Sequence, residues 1–231
     1  TDFSSKGPRS MDGYLKPEIS SPGSDIISAA MGGGSRVVKM SGTSMAAPNA
    51  AGVVALIKQS MKQRGLNLTA LELKNVAMGT AKTISEKGVR YAVTRQGSGR
   101  IQADVAAEAQ VVANEPSISF GEISVESKKS VRSKIEIKNL TKTDLNLSVV
   151  FEGNEFITMT AVSAFNLKSE GTQALNFVFN LDATKMTTET VREMDGWVKL
   201  MNGTVEVYRI PVLAVAHKLA SISAQDLVVM S

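Results

Sequence analysis

The sequence predicts two structural units in tandem: an α/β segment over residues 1–115, followed by an all-β sandwich over residues 116–231. Before Asn114-Glu115-Pro116, glycine-rich loops alternate with alanine-rich helical stretches. After it, short stretches alternate polar and apolar residues, the period of half-buried strands. The 231 residues are 43% hydrophobic, enough to bury a sizeable core.

Two helices stand out in the first unit. Met45 to Arg64 is rich in alanine and aliphatic residues and is followed by Gly65, a residue common just past a helix end. Thr69 and Glu72 have the spacing of a capping box, which predicts a second helix running to about Gly79.

The remaining elements follow from shorter patterns. A third helix is predicted over Gln102–Val112, and strands are predicted over Ile26–Ala30 and Ser35–Met40. About seven or eight strands, separated by Asn, Gly, Asp and Thr turns, are predicted in the second unit. Alternation is clearest in three stretches: Ser117–Phe120, Ser133–Lys138 and Leu145–Val149.

Composition excludes several classes of function. The formal charge of +4 is spread along the chain, and only 5% of residues are aromatic, which argues against a nucleic-acid surface. The one short basic cluster is interpreted as a solvated strand face and comprises Lys128, Lys129, Arg132 and Lys134. The absence of cysteine excludes disulfides, thiolate metal sites and a cysteine nucleophile. No apolar run is long enough to span a bilayer, and residues 1–20 lack the pattern of a signal peptide, so we expect the start to be internal to a longer precursor.

The segment most informative about chemistry runs from Ser41 to Pro48, between a predicted strand and the first long helix. A serine at such a helix start has a backbone N–H without an intrahelical partner, at the positive end of the helix dipole. That N–H is suited to stabilising an oxyanion. Gly42 permits close approach of a substrate, Thr43 is an acceptable cap, and Pro48 removes the helical partner of the Ser44 carbonyl.

Gly42 to Pro48 (Gly-Thr-Ser-Met-Ala-Ala-Pro) resembles the active-site serine motif of the subtilisin-like peptidases over its whole length. Three more parts of the chain resemble that family in the expected order: Phe3–Pro8, the loop leading to the nucleophile strand (Lys16–Ile19 with Ser21–Gly23), and Gly97–Ala103. The resemblance covers about residues 1–113. It implies that Ser44 is the catalytic nucleophile and that its N–H is an oxyanion donor. It also implies that residues 1–115 are the C-terminal portion of a doubly wound, mainly parallel-sheet catalytic domain.

In this family the catalytic aspartate and histidine precede the serine, as does the asparagine that donates to the oxyanion. The one histidine here, His217, lies in a predicted strand of the second unit, where a structural or exposed strand-end role is the favoured interpretation. The resemblance therefore implies an N-terminal chain of the same precursor that supplies the missing groups. The chain alone is then inactive. Asn49 stands where many members have a histidine, and that histidine is not the family's catalytic base.

The resemblance also implies a protein or peptide substrate and a secreted, periplasmic or cell-surface location. The second unit resembles the fibronectin type III-like module that follows the catalytic domain in larger members. No cofactor is assigned, and structural calcium is an expectation only for the missing N-terminal portion. Two alternatives remain: a catalytically incomplete protein that binds partners through its β-sandwich, and a structural or surface-adhesion role.

Other candidate sites have simpler interpretations. Gly32-Gly33-Gly34 lacks the lysine and Ser/Thr of a phosphate-binding loop and is interpreted as a flexible loop. Asp12, Glu18 and Asp25 lack the spacing of a calcium loop and are interpreted as surface charge. The eleven methionines are scattered through both units, and most of them are interpreted as core residues.

Overall fold

A computed structural model describes residues 2–186 and 191–219. The described ranges contain four helices: α1 (Thr43–Gln63), α2 (Ala70–Gly79), α3 (Val93–Gln96) and α4 (Ala103–Ala107). The strands in the same ranges are β1 (Ile26–Ala29), β2 (Val37–Met40), β3 (Ser85–Glu86), β4 (Val89–Arg90), β5 (Val111–Ala113), β6 (Ile118–Val125), β7 (Lys128–Asn139), β8 (Leu145–Gly153), β9 (Ile157–Thr160), β10 (Ala164–Leu167), β11 (Thr172–Asp182), β12 (Val191–Asn202) and β13 (Val205–Lys218). Residues 2–110 are called the N-terminal segment below, and the described residues from 111 onward are called the two-sheet unit. Residues 220–231 of the predicted sandwich lie outside the described ranges.

The two long helices lie within two residues of their predicted bounds: α1 begins at Thr43 and not at Met45, and α2 ends at Gly79 as predicted. Gly65 follows α1 with a φ of 79°, in the left-handed region that glycine adopts without steric cost. The capping box of α2 is present. The Thr69 hydroxyl accepts a 3.2 Å hydrogen bond from the Glu72 N–H, and the Glu72 carboxylate accepts a 2.8 Å bond from the Thr69 N–H.

The prediction of one helix over Gln102–Val112 was wrong. Helix α4 covers only Ala103–Ala107, and Val111–Ala113 instead forms β5, which pairs antiparallel with β7. All three residues of β5 are buried, so pairing with the sheet shields their side chains and satisfies their backbone groups at once. The sheet structure therefore starts before the predicted boundary near Asn114.

The strands of the N-terminal segment form two small antiparallel pairs, β1 with β2 and β3 with β4. The Gly32–Gly34 stretch lies in the hairpin loop between β1 and β2, where Gly32 and Gly34 have φ angles of 66° and 63°. The doubly wound parallel sheet expected from the resemblance remains a prediction.

The two-sheet unit consists of a five-stranded sheet in the order β10-β8-β12-β13-β6 and a four-stranded sheet in the order β5-β7-β11-β9. All neighbouring strands are antiparallel except β13 and β6, which are parallel. Both sheets contribute to one hydrophobic core, as shown by Phe177 and Phe179 of β11, Leu200 of β12 and Ile210 of β13, all fully buried. Eight described strands, β6 to β13, follow residue 115, which confirms the predicted number.

Strand β13 is covered on both faces. Ile210, Val212 and Ala214 face the core between the sheets, whereas Leu213 and Val215 belong to a second cluster with Trp197 of β12. That second cluster also contains Leu15 and Val93, so the N-terminal segment packs on the outer face of the five-stranded sheet. Burial on both faces explains the long apolar run in β13. A strand with one face in water would instead alternate polar and apolar residues.

The basic cluster of β7 is confirmed as a solvated strand face, since Lys128, Lys129, Arg132 and Lys134 are all exposed. Across the residues described, no helix is long and apolar enough to cross a membrane.

Candidate active site

Ser44 is the second residue of α1 and is exposed to solvent. The N-cap is Gly42, in extended conformation, with no capping hydrogen bond from a side chain. The expectation that Thr43 caps the helix was therefore wrong. Thr43 is the first residue of the helix itself, one position after the N-cap.

The backbone at this helix start leaves the Ser44 N–H without an intrahelical acceptor. The Met45 and Ala46 N–H groups both donate to the Gly42 carbonyl, at 3.1 and 3.3 Å. The Ser44 N–H precedes them in the first turn, where an amide has no intrahelical acceptor and the helix dipole is positive. Pro48 lies inside α1 without an N–H, so the Ser44 carbonyl lacks its usual helical partner. Geometry of this kind suits stabilisation of negative charge next to the Ser44 hydroxyl.

A groove of about 300 Å³ lies at the start of α1 and is lined by residues 3–4, 21–24, 42–43 and 46. The structure thus brings together three of the segments singled out from sequence: those beginning at Phe3, at Ser21 and at Gly42. The Gly42 N–H donates a 2.8 Å hydrogen bond to the Gly23 carbonyl, which fixes the wall of the groove against the loop that precedes Ser44.

Gly23 is essential to this contact for a steric reason. A Cβ atom at position 23 would lie 2.7 Å from the Gly42 carbonyl oxygen and 3.0 Å from the Cβ of Ala46. The close approach of the two backbones therefore requires glycine at this position. Sequence reasoning placed Gly23 in the loop leading to the nucleophile but did not identify this role.

Three further contacts attach the groove wall and the adjacent Asp25 to β2, to the nucleophile loop and to α1. The Asp25 N–H donates to the Ser41 hydroxyl at 2.8 Å, and the Asp25 carboxylate lies 3.0 Å from the Lys39 ammonium. The Ser21 hydroxyl donates to the Asn49 side-chain oxygen at 2.8 Å. Asn49 thus has a structural contact one turn beyond Ser44, next to the groove.

His217 lies on β13, in register with Ser124 of β6, and its Nε2 is 3.5 Å from the Glu122 carboxylate. This position is that of a strand-end histidine in the two-sheet unit. Nothing in the described residues places an acid-base partner beside Ser44.

The acidic residues considered for calcium are each paired with basic side chains. Asp12 pairs with Arg9, Asp25 with Lys39, and Glu18 with Lys74 and Lys16. Partial burial of Glu18 opposes its ionisation, but Lys74 and Lys16 outweigh this effect and lower the pKa of the carboxyl. Among the residues described, no group of three or more His, Cys, Asp and Glu side chains is arranged to hold a metal ion.

Large apolar side chains are exposed around the site. Of the 21 residues of α1, only Ile57 and Met61 are buried, and Leu56 remains 55% exposed. In the β1–β2 hairpin, Ile27 and Val37 are 65% and 69% exposed. Exposed apolar surfaces of this extent in a helix and an adjacent hairpin are typical of surfaces that contact another part of a protein.

Residues 1–99 match the model of the subtilase family, Peptidase_S8. Over these residues the chain is similar to the subtilase family. The subtilase match spans the Phe3 segment, the groove wall, the Ser44 motif and the Gly97 turn. It ends before β5, so the two-sheet unit lies outside it.

Three individual proteases are also similar to this chain. The minor extracellular protease Vpr of Bacillus subtilis (strain 168) is 28% identical over 230 residues, covering 94% of this chain and 27% of that protein. A PII-type proteinase of Lactococcus lactis subsp. cremoris is 34% identical over 165 residues, covering 65% of this chain and 8% of that protein. A C5a peptidase of Streptococcus pyogenes serotype M6 is 29% identical over 147 residues, covering 61% of this chain and 11% of that protein. The chain therefore spans 27% or less of the length of these relatives, and the similarity to Vpr continues through the two-sheet unit.

Proposed function

We propose that this chain is part of a subtilisin-like serine endopeptidase that hydrolyses peptide bonds through an acyl-enzyme on Ser44. The observation that carries the proposal is the position of Ser44. It is exposed at the start of α1, within the residues that match the subtilase model, and the groove at this helix start is lined by the segments that begin at Phe3 and Ser21.

The mechanism assigns two tasks to this chain. Ser44 Oγ attacks the carbonyl carbon of the scissile peptide while a histidine accepts its proton, and the Ser44 N–H donates to the oxyanion that forms. The histidine then protonates the leaving amine, and water releases the acyl group from Ser44. Gly42 and Thr43 border the groove beside the reacting hydroxyl, and Pro48 leaves the Ser44 carbonyl outside the helical hydrogen-bond pattern.

The catalytic aspartate, the histidine and the oxyanion asparagine come, in this proposal, from an upstream segment or a separate N-terminal chain of the same precursor. His217 contacts Glu122 in the two-sheet unit and is not assigned to catalysis. The exposed apolar residues of α1 and of the β1–β2 hairpin are the surface on which that N-terminal part packs. Burying apolar surface contributes about 25 cal/mol per Å² to such an association.

The two-sheet unit is proposed to be the fibronectin type III-like module of a larger secreted or cell-surface protease, where it supports the catalytic part. The similarity to a relative named as an extracellular protease favours this location.

A serine-directed fluorophosphonate tests the proposal. In the complete protein that contains this chain, we expect covalent labelling at Ser44, detected as a mass shift on the peptide that contains it. Ser44→Ala abolishes the label, whereas Ser124→Ala, at an exposed serine of β6, retains it.

Failure of the folded complete protein to label at Ser44 would contradict the proposal. Binding of a protein partner that survives Ser44→Ala in such a non-labelling protein would instead favour the alternative, a module acting through its β-sheets.

A further inference from the structure

Arg209 is a buried cation that extends from β13 of the two-sheet unit into the N-terminal segment. Only 6% of its side chain is exposed. Its Nη1 atom lies 2.5 Å from the Thr83 hydroxyl oxygen and 3.4 Å from the Ser98 carbonyl oxygen. The guanidinium is neutralised by Glu206, at 2.5 Å. One side chain therefore joins the five-stranded sheet to two separate loop positions of the N-terminal segment.

The Ser98 carbonyl belongs to a glycine turn that is enclosed by backbone on both sides. A Cβ on Gly97 would lie 2.3 Å from the Glu18 carbonyl oxygen, and one on Gly99 would lie 2.3 Å from the Lys82 carbonyl oxygen. Both glycines also have positive φ angles, 63° and 126°. The backbones of Glu18 and Lys82 therefore hold the turn in place, and a shift of the turn would displace these two segments as well.

Backbone hydrogen bonds connect this turn to the segment that leads to the groove. The Ser98 N–H donates to Glu18 at 3.0 Å, the Ser20 N–H donates to Gly99 at 2.9 Å, and the Ile101 N–H donates to Ser20 at 2.9 Å. Ser20 is followed directly by residues 21–24 of the groove wall. Gly23 in turn accepts the hydrogen bond from Gly42, two residues before Ser44.

We propose that Arg209 is a positioning residue for the reaction at Ser44: through the turn at Ser98 it fixes the groove wall against which the substrate lies. The inference rests on the proposed function and adds to it a route by which the two-sheet unit affects catalysis. Arginine suits this role because its planar fork presents several donors in fixed directions, whereas lysine presents one flexible ammonium group. Small displacements of a substrate-positioning wall are costly, since an error of about 1 Å can lower a rate by about 100-fold.

The test compares Arg209→Met and Arg209→Lys with Phe177→Leu in the complete protein. Phe177 is fully buried in the core between the sheets, so its substitution destabilises the two-sheet unit without touching the turn. Two quantities are measured well below each variant's melting temperature: the second-order rate constant for fluorophosphonate labelling of Ser44, and the amide hydrogen exchange rate at Gly42.

We expect Arg209→Met to label about tenfold more slowly than the parent protein and to exchange faster at Gly42. Arg209→Lys should recover part of both effects, because it retains the charge opposite Glu206 but cannot reproduce the fork. Phe177→Leu should label within about twofold of the parent at the same fraction folded.

Equal labelling rates for Arg209→Met and Phe177→Leu, or Gly42 exchange unchanged in Arg209→Met, would overturn the positioning role. If the parent protein does not label at all, the proposed function fails, and the exchange comparison alone still decides whether Arg209 holds the groove wall.

Discussion

The ring of Tyr208 on β13 lies directly against Gly79 at the end of α2, so that a Cβ on Gly79 would be 1.9 Å from Cε2 of the tyrosine. The Tyr208 hydroxyl continues past the glycine and donates a 2.9 Å hydrogen bond to the Asn75 carbonyl oxygen. It also accepts a 3.1 Å hydrogen bond from the Ala113 N–H. Burial raises the pKa of this phenol, so the donor remains protonated in the folded protein. The two-sheet unit and α2 are thus locked by one aromatic side chain that only glycine accommodates.

Gly79→Ala should destabilise the protein although alanine is the better helix former. The new methyl group cannot fit without displacing the Tyr208 ring, and overpacking of this kind costs about 1–3 kcal/mol. Gly52→Ala in α1 is the matched control, because a Cβ there has no neighbouring atom within 4 Å. Removing a helical glycine at such a site is expected to stabilise by about 0.5–1 kcal/mol. Calorimetric melting temperatures should therefore move in opposite directions, and a rise in both would contradict the packing described here.

The free energy of unfolding is expected to depend on pH through Glu72. Its partial burial opposes ionisation, but hydrogen bonds from Thr69 and the charge of Lys138 lower its pKa from the ordinary value of 4.5. A carboxyl whose folded pKa is depressed contributes stability above its unfolded pKa and loses it as the pH falls through the folded pKa. The contribution should therefore be complete above about pH 5 and disappear as the pH falls below 4.5.

Glu72→Gln isolates this effect, since glutamine preserves the capping box but does not titrate. The difference in unfolding free energy between parent and variant should be largest near neutral pH and should shrink below pH 4.5. Glu126→Gln, at an exposed position, serves as the control. If the difference in unfolding free energy between the parent and Glu72→Gln did not change with pH, the ionisation of Glu72 would not be linked to folding.

Local patterns were enough to predict much of the secondary structure. The capping box of α2, the start and end of α1, and the alternating strands β6, β7 and β8 each depend on residues close together in sequence. The predicted helix over Gln102–Val112 failed because its last residues pair with β7, a partner more than 20 residues away. An alanine- and valine-rich stretch suits either state, and only the tertiary contact decides between them.

The serine and its motif were likewise accessible from sequence, whereas their attachment to the rest of the molecule was not. Arg209 meets Ser98, and Tyr208 meets Asn75, across more than 100 residues of chain. No local spacing indicates such pairs. The one available hint was that an arginine and a tyrosine interrupt the otherwise apolar run of β13, which implies that each has a partner when buried.

Asp195 is expected to be a major contributor to the junction between the two parts of the chain. Only 3% of its side chain is exposed, and it accepts hydrogen bonds from Arg90, from the Val93 N–H at 2.7 Å and from Asn154 at 2.9 Å. Arg90 also covers the buried Trp197 ring, with its guanidinium carbon 4.8 Å from the ring centroid. Asp195→Ala leaves the Val93 N–H without its acceptor and removes the buried carboxylate that pairs with Arg90, and breaking a buried pair costs about 3–5 kcal/mol.

The measurement for Asp195→Ala is urea unfolding, with Asp144→Ala as the control. Asp144 pairs with Lys168 on the surface, where its side chain is 41% exposed, and its removal should have little effect. Comparable losses of stability in the two variants would show that the Arg90–Asp195 contact is no stronger than a surface ion pair.

Gly23→Ala should slow the reaction at Ser44 more than it affects folding. A methyl group at position 23 meets the Gly42 carbonyl oxygen at 2.7 Å, so either the groove wall or the loop before Ser44 must move. A shift of this size at a site that orients substrate should lower the rate constant for fluorophosphonate labelling by at least about tenfold. Ser124→Ala, at an exposed position of β6 outside the groove, introduces no such contact and should label at close to the parental rate. Amide exchange in α2, measured on the same samples, checks that both variants remain folded. Parental labelling by Gly23→Ala would mean that the contact between Gly23 and Gly42 does not hold Ser44 in its reactive position.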